Sequence, residues 1–332
     1  MMIIKTTSYP RAALIGNPSD GYFGKTIAFT YANFQADITL YPTDELRILP
    51  GQRDVSRYGS IASLNEDVNH FGYYGGVRLI KAAIRKFYLW CEEQDKSLHN
   101  RNFTIRYHSS IPLHLGMAGS SAIITATMRA LMEFYSVEIP QPLMANLILS
   151  VETEELGLGA GLQDRVAQVY QGVTFMDFDK THMEARGYGT YEPLKLPGDI
   201  LFYIAYKRDN SESSEVVHND LRYRYEKGDE DVVRAMTRFG EISLEFRKAL
   251  SEGNYESVHR LMDDNFNLRR SIMNISRENL AMVEAARSAG ASAKFTGSGG
   301  AIIGSCPNEK TLEKLKETLN GRGIDLFLPR IV

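Results

Sequence analysis

The chain has 332 residues, of which 43% are hydrophobic and 24% are charged, and its formal net charge is −3 at pH 7. These values are ordinary for a globular protein long enough for two domains, and they give no reason to expect nucleic acid or an anionic membrane as a partner. The two cysteines, Cys91 and Cys306, exclude a disulfide framework, and no apolar run is long enough for a membrane span, so we expect a cytoplasmic protein.

The first half of the sequence predicts mixed α and β structure. Apolar, β-branched and aromatic residues with partial alternation predict strands at 3–7, 12–15, 26–31, 35–41 and 103–107. The spacing of apolar residues predicts helices over 75–91, from Ser120 or Ser121 to 134, and over 142–155. A short helix follows the glycine-rich turn GLGAGLQD, and a further strand is expected near 173–176.

Polar and turn residues between 177 and 197 predict a domain boundary in that segment. Beyond it we expect a strand at 200–206, three or four helices between 214 and 289, two strands around TGSGG, a helix at 309–319 and a strand at 325–328. The sequence thus indicates an α+β protein with two domains, residues 1–185 and 186–332, the second forming a wall of the substrate cleft.

A glycine- and serine-rich turn runs directly into a helix at residues 111–126, IPLHLGMAGSSAIITA. Glycines let backbone N–H groups face an anion, and the helix N-terminus adds unpaired donors. No lysine follows the glycines, so the turn is not a P-loop of the form GxxxxGK[ST]. Taken alone, the turn favours a helix cap that uses glycine for close packing, with a phosphate site as the alternative.

Two further glycine-rich segments accompany this turn. They are YPRAALIGNPSDGYFGKT at 9–26 and AKFTGSGGAIIG at 293–304. In this order and at these separations, the three segments resemble the three motifs of the GHMP kinases, and segments at 70–82, 261–273 and 282–301 look most like the glucuronokinase branch. The resemblance covers most of the chain. It implies a two-domain GHMP kinase fold, with an N-terminal domain like ribosomal protein S5 domain 2 and a ferredoxin-like C-terminal domain.

The resemblance also implies a small-molecule kinase that uses ATP and Mg²⁺, and it assigns roles by motif position. The residues implied for the ATP phosphates are Gly116, Ala118, Gly119, Ser120, Ser121, Gly297, Ser298 and Gly299. The last serine of the loop, Ser121, would also ligate magnesium. The loop GMAGSS has one more residue before the serines than the common GLGSS form, and the glucuronokinase branch shares that spacing.

Three charged residues match catalytic positions of the family. Glu152 would be the second magnesium ligand, with its neighbours Glu154 and Glu155 as alternatives and a solvated helix end as the structural interpretation. Asp164 would accept the proton of the acceptor hydroxyl or orient that hydroxyl, although an aspartate at such a turn also caps helices. Arg11 would compensate charge on the transferring phosphoryl group, unless it is a surface arginine at the start of a strand.

The loop GNPSD and its neighbours match the family's sugar-binding segment. The implied substrate residues are Asn17, Ser19, Asp20 and Tyr22, whereas turn formation alone would also explain this composition, and Lys25 is left unassigned. A uronic acid substrate would need a cation, preferably an arginine. The sequence does not rank the candidates, which are Arg57, Arg78, Arg222, Arg224, Arg269 and Arg270.

The resemblance implies phosphorylation of the anomeric hydroxyl of D-glucuronate, with glucuronate 1-phosphate and ADP as products. Alternatives within the same chemistry are a kinase for galacturonate, arabinose or a heptose phosphate, and a kinase for mevalonate. A protein of another class, which retains the fold and binds sugar or ATP as a regulator without catalysis, is disfavoured because Arg11, Asp164 and the GSS loop are all present. The expected partners are small molecules, and neither nucleic acid nor a membrane is expected.

Overall fold

A computed structural model describes residues 2–51, 54, 75–207 and 214–332, with the side chains of residues 214–219 left out. Arg57 and the first part of the segment 70–82 lie outside the described residues. The sequence predictions that concern them therefore stay predictions.

The strands are numbered here in chain order over the described residues. They are β1 (Ile4–Ser8), β2 (Arg11–Ile15), β3 (Lys25–Thr30), β4 (Ala36–Thr43), β5 (Arg47–Leu49), β6 (Asn102–Ser109), β7 (Val173–Asp177), β8 (Thr190–Leu194), β9 (Leu201–Tyr206), β10 (Lys294–Phe295), β11 (Ala301–Cys306) and β12 (Asp325–Phe327).

The α-helices are numbered in the same way. They are α1 (Gly76–Glu93), α2 (Gly119–Tyr135), α3 (Gln141–Ser150), α4 (Leu162–Tyr170), α5 (Lys180–Arg186), α6 (Ser214–Glu226), α7 (Glu230–Ser251), α8 (Tyr255–Ile272), α9 (Arg277–Ser288) and α10 (Glu309–Asn320). Two short elements complete the set, a 3₁₀ turn at Ser19–Tyr22 and a π-helical turn at Val151–Glu155.

The first of two compact units comprises Met1–Pro10, Phe34–Ile111 and Ala118–Val169. Its sheet has the order β1-β4-β6-β5, in which only β5 runs parallel to its neighbour among the described pairs. Helix α2 packs against β1, β4 and α1, and nearly its whole length is buried. The half-buried Arg129 of α2 donates 2.8 Å hydrogen bonds to the carbonyls of Thr7 and Gln168, so this helix also holds the end of α4.

The second unit comprises Arg11–Asn33, Pro112–Met117 and Tyr170–Val332. It contains two antiparallel sheets, with the orders β2-β3-β7-β8 and β10-β11-β9-β12. Helix α7 packs on β2 and β3, while α8 packs on α7 and on strands β2, β10 and β11. Helix α8 therefore contacts both the strand that precedes the loop GNPSD and the hairpin that carries the third glycine-rich turn. The loop GNPSD, residues 16–20, is called the sugar loop below for its predicted role.

The predicted α+β class is confirmed, and so are the two strands around TGSGG and the helices between 214 and 289. The prediction of one helix over 142–155 was wrong in detail, because a π-helical turn interrupts it after Ser150. The polar segment 177–197 contains α5 and the edge strand β8, which pairs with β7. The predicted domain limit at residue 185 lies within this segment and stays a prediction.

Candidate active site

The predicted phosphate loop, GMAGSS at 116–121, leads directly into the N-terminus of α2. Ala118 adopts the left-handed region at φ 60°, and α2 begins at Gly119 with neither a side-chain cap nor an acidic residue in its first turn, as far as the described residues show. Ser121 is buried, and its hydroxyl donates to the Ala118 carbonyl at 3.2 Å. The first N–H groups of α2 and the positive end of its dipole are therefore suited to a phosphate oxygen.

Gly116 and the third glycine-rich turn lie in direct contact in the second unit. Gly116 has φ +61°, and a Cβ on it would lie 2.8 Å from the Gly299 carbonyl oxygen and 3.1 Å from the Ser298 nitrogen. Both the backbone conformation and the close approach therefore require glycine at this position. The amide of Ala13 in β2 adds a 2.8 Å hydrogen bond to the Thr296 carbonyl, so all three motifs contribute backbone to this region.

Arg11 joins the motifs by a side-chain interaction. It is buried, and its Nη1 donates 2.6 Å to the carbonyl of Gly116 and 3.0 Å to that of Thr296. The alternative of a surface arginine does not fit this burial. These two hydrogen bonds tie the guanidinium to two glycine-rich turns.

Two more buried cations lie in the same unit. Arg269 of α8 donates to the carbonyls of Gly297 at 2.7 Å and Ser298 at 3.1 Å, and Lys294 Nζ donates to Ala13 at 2.6 Å and Phe295 at 2.9 Å. Neither forms an ion pair with a carboxylate in the part of the chain that the structure describes. Burial lowers the pKa of Arg269 to about 10 and that of Lys294 well below its usual value, and nearby cations add to both effects. The guanidinium of Arg269 makes the region electropositive and suited to anionic ligands, whereas the shift of the Lys294 pKa favours its neutral amine.

Glu152 lies in the π-helical turn and is paired. Its Oε2 accepts a 2.7 Å hydrogen bond from Nε of Arg165 and another from Nη2, and each side chain is 5% exposed. Burial raises the pKa of Glu152, and Arg165 opposes that shift. The neighbours Glu154 and Glu155 pair instead with Lys86 and Arg85 of α1. Of the three, only Glu152 is buried, and its assignment as a magnesium ligand stays a prediction.

Asp164 lies in the first turn of α4 as the helix's third residue, so it does not occupy the N-cap position. Its carboxylate is 3.3 Å from Nη1 of Arg165 and its side chain is 19% exposed. The same arginine donates 2.7 Å to the Gly161 carbonyl. Arg165 thus lies between Asp164 and Glu152, and its charge opposes the effect that burial has on the pKa of Glu152.

The sugar loop is fixed by a helix that is distant in sequence. Asn265 of α8 accepts from the Gly16 amide at 2.6 Å and donates to the Asn17 carbonyl at 3.2 Å. The peptide bond between Asn17 and Pro18 is cis. The Asn17 side-chain oxygen is buried and accepts no hydrogen bond from the described residues, an arrangement that calls for a ligand or water as donor.

The other predicted substrate residues differ in their environments. Ser19 is fully buried and donates to the Lys25 carbonyl at 3.2 Å, so its hydroxyl lies within the loop. Tyr22 packs with its ring centroid 4.7 Å from that of Tyr225, while Asp20 is partly exposed. Lys25, which the sequence left unassigned, forms a 2.7 Å ion pair with Asp177.

Sequence reasoning missed Arg165, Asn265 and Lys294. Lys294 had one available signal, because a lysine lay within the apolar strand that precedes the third motif. Asn265 and Arg269 are four residues apart, so they share one face of α8 and act together on the first and third motifs. That pattern looks like any polar helix face until the packing of α8 is known.

Within the described residues, no group of three or more His, Cys, Asp or Glu side chains is arranged to hold a metal ion. No described helix combines the length and apolar character needed to cross a membrane.

The sequence matches the GHMP kinases N terminal domain over residues 78–172 and the GHMP kinases C terminal domain over residues 246–325. It is 42% identical to a probable glucuronokinase 2 of Arabidopsis thaliana over 322 residues, which are 95% of this chain and 87% of that protein. It is 40% identical to glucuronokinase 1 of the same plant, over 95% of this chain and 88% of that protein.

The fold is also similar to that of a solved GHMP kinase. The phosphomevalonate kinase of Streptococcus pneumoniae, determined in complex with phosphomevalonate and AMPPNP, aligns with a TM-score of 0.77 at 14% identity, covering 100% of both chains. This similarity confirms the predicted two-domain fold. Together with the family matches and the identity to the Arabidopsis proteins, it shows that the chain belongs to the GHMP kinase family.

Proposed function

We propose that this GHMP kinase transfers the γ-phosphoryl group of ATP to the anomeric hydroxyl of D-glucuronate, giving glucuronate 1-phosphate and ADP. The observation that carries this proposal is the 42% and 40% identity to two glucuronokinases over 95% of the chain. The other sugars, mevalonate and a non-catalytic regulator are not favoured by that comparison. The electropositive region around the first and third motifs agrees with two anionic substrates.

In the proposed site, the ATP phosphates bind at the glycine-serine loop. The amides that open α2 at Gly119, Ser120 and Ser121 are the donors, and the third motif (Gly297, Ser298 and Gly299) contacts Gly116. Arg11 contributes positive charge that stabilises the transferring phosphoryl group. Since this arginine also holds both turns, it has a positioning role as well.

Ser121 and Glu152 are the residues that would hold Mg²⁺. A hydroxyl and a carboxylate are hard oxygen ligands of the kind Mg²⁺ prefers, and this ion usually completes its coordination with substrate phosphates and water. A site of this kind needs only one or two ligands from the protein. It therefore does not require an acidic cluster, and none is found among the described residues. When bound, the ion would neutralise charge on the phosphates.

The transfer step needs one base and one in-line displacement. The anomeric oxygen forms a bond to the γ-phosphorus as the bond from that phosphorus to the β,γ-bridging oxygen breaks, and ADP leaves with the electron pair. The hydroxyl proton passes to the Asp164 carboxylate, which lies 3.3 Å from Nη1 of Arg165. Asn17, Asp20 and Tyr22 are the proposed sugar contacts, and Ser19 shapes their loop.

We infer a reducing, cytoplasmic environment for the reaction. Both cysteines are buried and unpaired in the structure. Free buried thiols are typical of compartments that keep cysteines reduced.

A coupled ADP-release assay tests the proposal, with Mg²⁺-ATP and a panel of glucuronate, galacturonate, galactose, arabinose and mevalonate. We expect turnover with glucuronate, and ³¹P NMR of the product should show a phosphate coupled to the anomeric proton. The Asp164→Asn variant is the control for contaminating kinases. Turnover of another member of the panel, with none of glucuronate, would refute the substrate and retain the kinase.

A further inference from the structure

We propose that Arg222 binds the carboxylate of the sugar acid and is the residue by which this kinase distinguishes an acid from a neutral sugar. The inference rests on the proposed function, because it names the group that recognises the substrate of that reaction. A carboxylate at the end of a sugar ring is best held by a guanidinium, which offers two parallel N–H donors.

Arg222 lies beside the proposed sugar loop. In the second unit, Leu221 and Tyr225 of α6 pack with Tyr22 in one apolar cluster, and this packing sets the position of the helix. The Arg222 guanidinium carbon is 5.7 Å from the centroid of the Tyr22 ring. Its Nη2 is 3.4 Å from the place where a Cβ on Gly21 would lie, so the absence of a side chain at Gly21 leaves room for the guanidinium.

The guanidinium is also available to a ligand. The Arg222 side chain is 56% exposed, and its ion pair with Glu226 has a long N–O distance of 3.9 Å between two largely exposed groups. Such pairs are weak in water, so a substrate carboxylate would displace Glu226 at small cost. When no substrate is bound, the cation–π contact with the ring of Tyr22 keeps the guanidinium near the loop.

The other described arginine candidates are less suitable. Arg224 is held by Asp229 at 2.9 Å and by the Ile272 carbonyl at 2.7 Å, where it links α6 to α7 and α8. Arg269 is buried against the carbonyls of Gly297 and Ser298. Arg270 is exposed in the last turn of α8, and Arg78 donates to the Leu156 carbonyl in the other unit.

The charges around Tyr22 explain why a cation is needed at this place. Burial raises the pKa of Tyr22, Arg222 lowers it, and Asp20 and Glu226 raise it, with a net result of about 12, so these three charged groups lie near the tyrosine. Two carboxylates alone would repel a uronate and would accept a neutral sugar. Arg222 reverses that preference, because it places positive charge on the same side of the loop.

The experiment compares D-glucuronate with its neutral analogue D-glucuronamide in the wild-type enzyme and in Arg222→Gln and Arg222→Lys. We expect Arg222→Gln to raise the KM for glucuronate about 10- to 100-fold, to leave the KM for ATP within about twofold, and to abolish the preference for the acid. The KM of Arg222→Lys for glucuronate should lie between those of the wild type and Arg222→Gln. The matched control is Arg234→Gln, which also removes an exposed helix arginine paired with a glutamate four residues away and should behave as wild type.

Two results would overturn the inference. An unchanged ratio of kcat/KM for glucuronate and glucuronamide in Arg222→Gln would remove any role in carboxylate recognition. An equal loss with both sugars and with ATP would mean that Arg222 only supports the fold near Tyr22. By contrast, a wild-type enzyme that does not phosphorylate glucuronate would refute the proposed function itself.

Discussion

Arg165 and Glu152 form a buried ion pair in which Nε of the arginine lies 2.7 Å from Oε2 of the glutamate. Glu152 is the proposed metal ligand, and Arg165 also approaches the proposed base Asp164 at 3.3 Å. One cation therefore connects the π-helical turn at Val151–Glu155 to the first turn of α4. The pair gives Glu152 a role in stability beside its proposed role as a metal ligand.

Glu152→Gln should lower the free energy of unfolding by about 1.5–3 kcal/mol, because it removes the buried carboxylate bonded to Arg165 and leaves only Asp164 as a counter-charge. Urea denaturation of the ligand-free protein measures this change. The control is Glu154→Gln, whose pair with Lys86 is exposed and should contribute less than about 1 kcal/mol. Equal effects of the two substitutions would mean that the buried pair does not stabilise the fold.

Asp164→Asn should reduce kcat by about 10²- to 10⁴-fold, because the amide cannot accept the hydroxyl proton. The KM for ATP should stay within a few-fold of wild type. Steady-state kinetics and a melting curve of the same variant distinguish chemistry from folding. A variant with nearly wild-type turnover would return Asp164 to a purely structural role in the first turn of α4.

Substitutions of Arg11 should lower kcat. The wild-type enzyme should have the highest value, Arg11→Lys a lower one and Arg11→Gln the lowest. The lysine retains the charge, but it lacks the planar fork with which arginine donates to the carbonyls of Gly116 and Thr296. We expect losses of about 10-fold for lysine and about 10²- to 10³-fold for glutamine. Equal kcat values for the two variants would show that the charge is not used in the transfer step.

Gly297→Ala should destabilise the protein by about 1–3 kcal/mol and weaken ATP use. The new Cβ would overlap the Gly116 carbonyl oxygen and lie 2.9 Å from both terminal nitrogens of Arg11, so the contact between the motifs must open. Gly198→Ala is the control, since a Cβ there meets no described atom within 4 Å. Chemical denaturation and the KM for ATP provide the readouts, and identical results for both variants would contradict the packing argument.

The two thiols should be unreactive in the native protein. Burial raises the pKa of Cys91 to about 11 and that of Cys306 to about 12. Since an unfolded thiol has a pKa of about 8.5, the thiols favour the folded state fully below that pH, and this contribution is lost as the pH rises through the folded values. A thiol-disulfide reagent at pH 8 should therefore react about 10²-fold more slowly with native than with denatured protein. Rapid labelling of the native chain would contradict the burial of both residues.

Much of the fold was predictable from local patterns. The strand before the sugar loop and the strand after the third motif contain apolar runs, and α2 follows its glycine turn as predicted. The π-helical turn at Val151–Glu155 was not predictable, because its side-chain spacing does not differ visibly from that of an α-helix. Strand β5 was also missed, since its three residues are mostly exposed and are ordered by pairing with β6.

The sequence by itself determined the family, the three motifs and the chemical types of the proposed site residues. Each motif consists of residues that are adjacent in the chain, so it can be recognised from the sequence without knowing the structure. Only the tertiary structure decided which groups touch them. Asn265 holds the loop at Gly16 across 249 positions, and Lys294 reaches the Ala13 carbonyl across 281. Contacts of that kind depend on how sheets and helices pack, and a single sequence carries no local pattern from which such packing can be read.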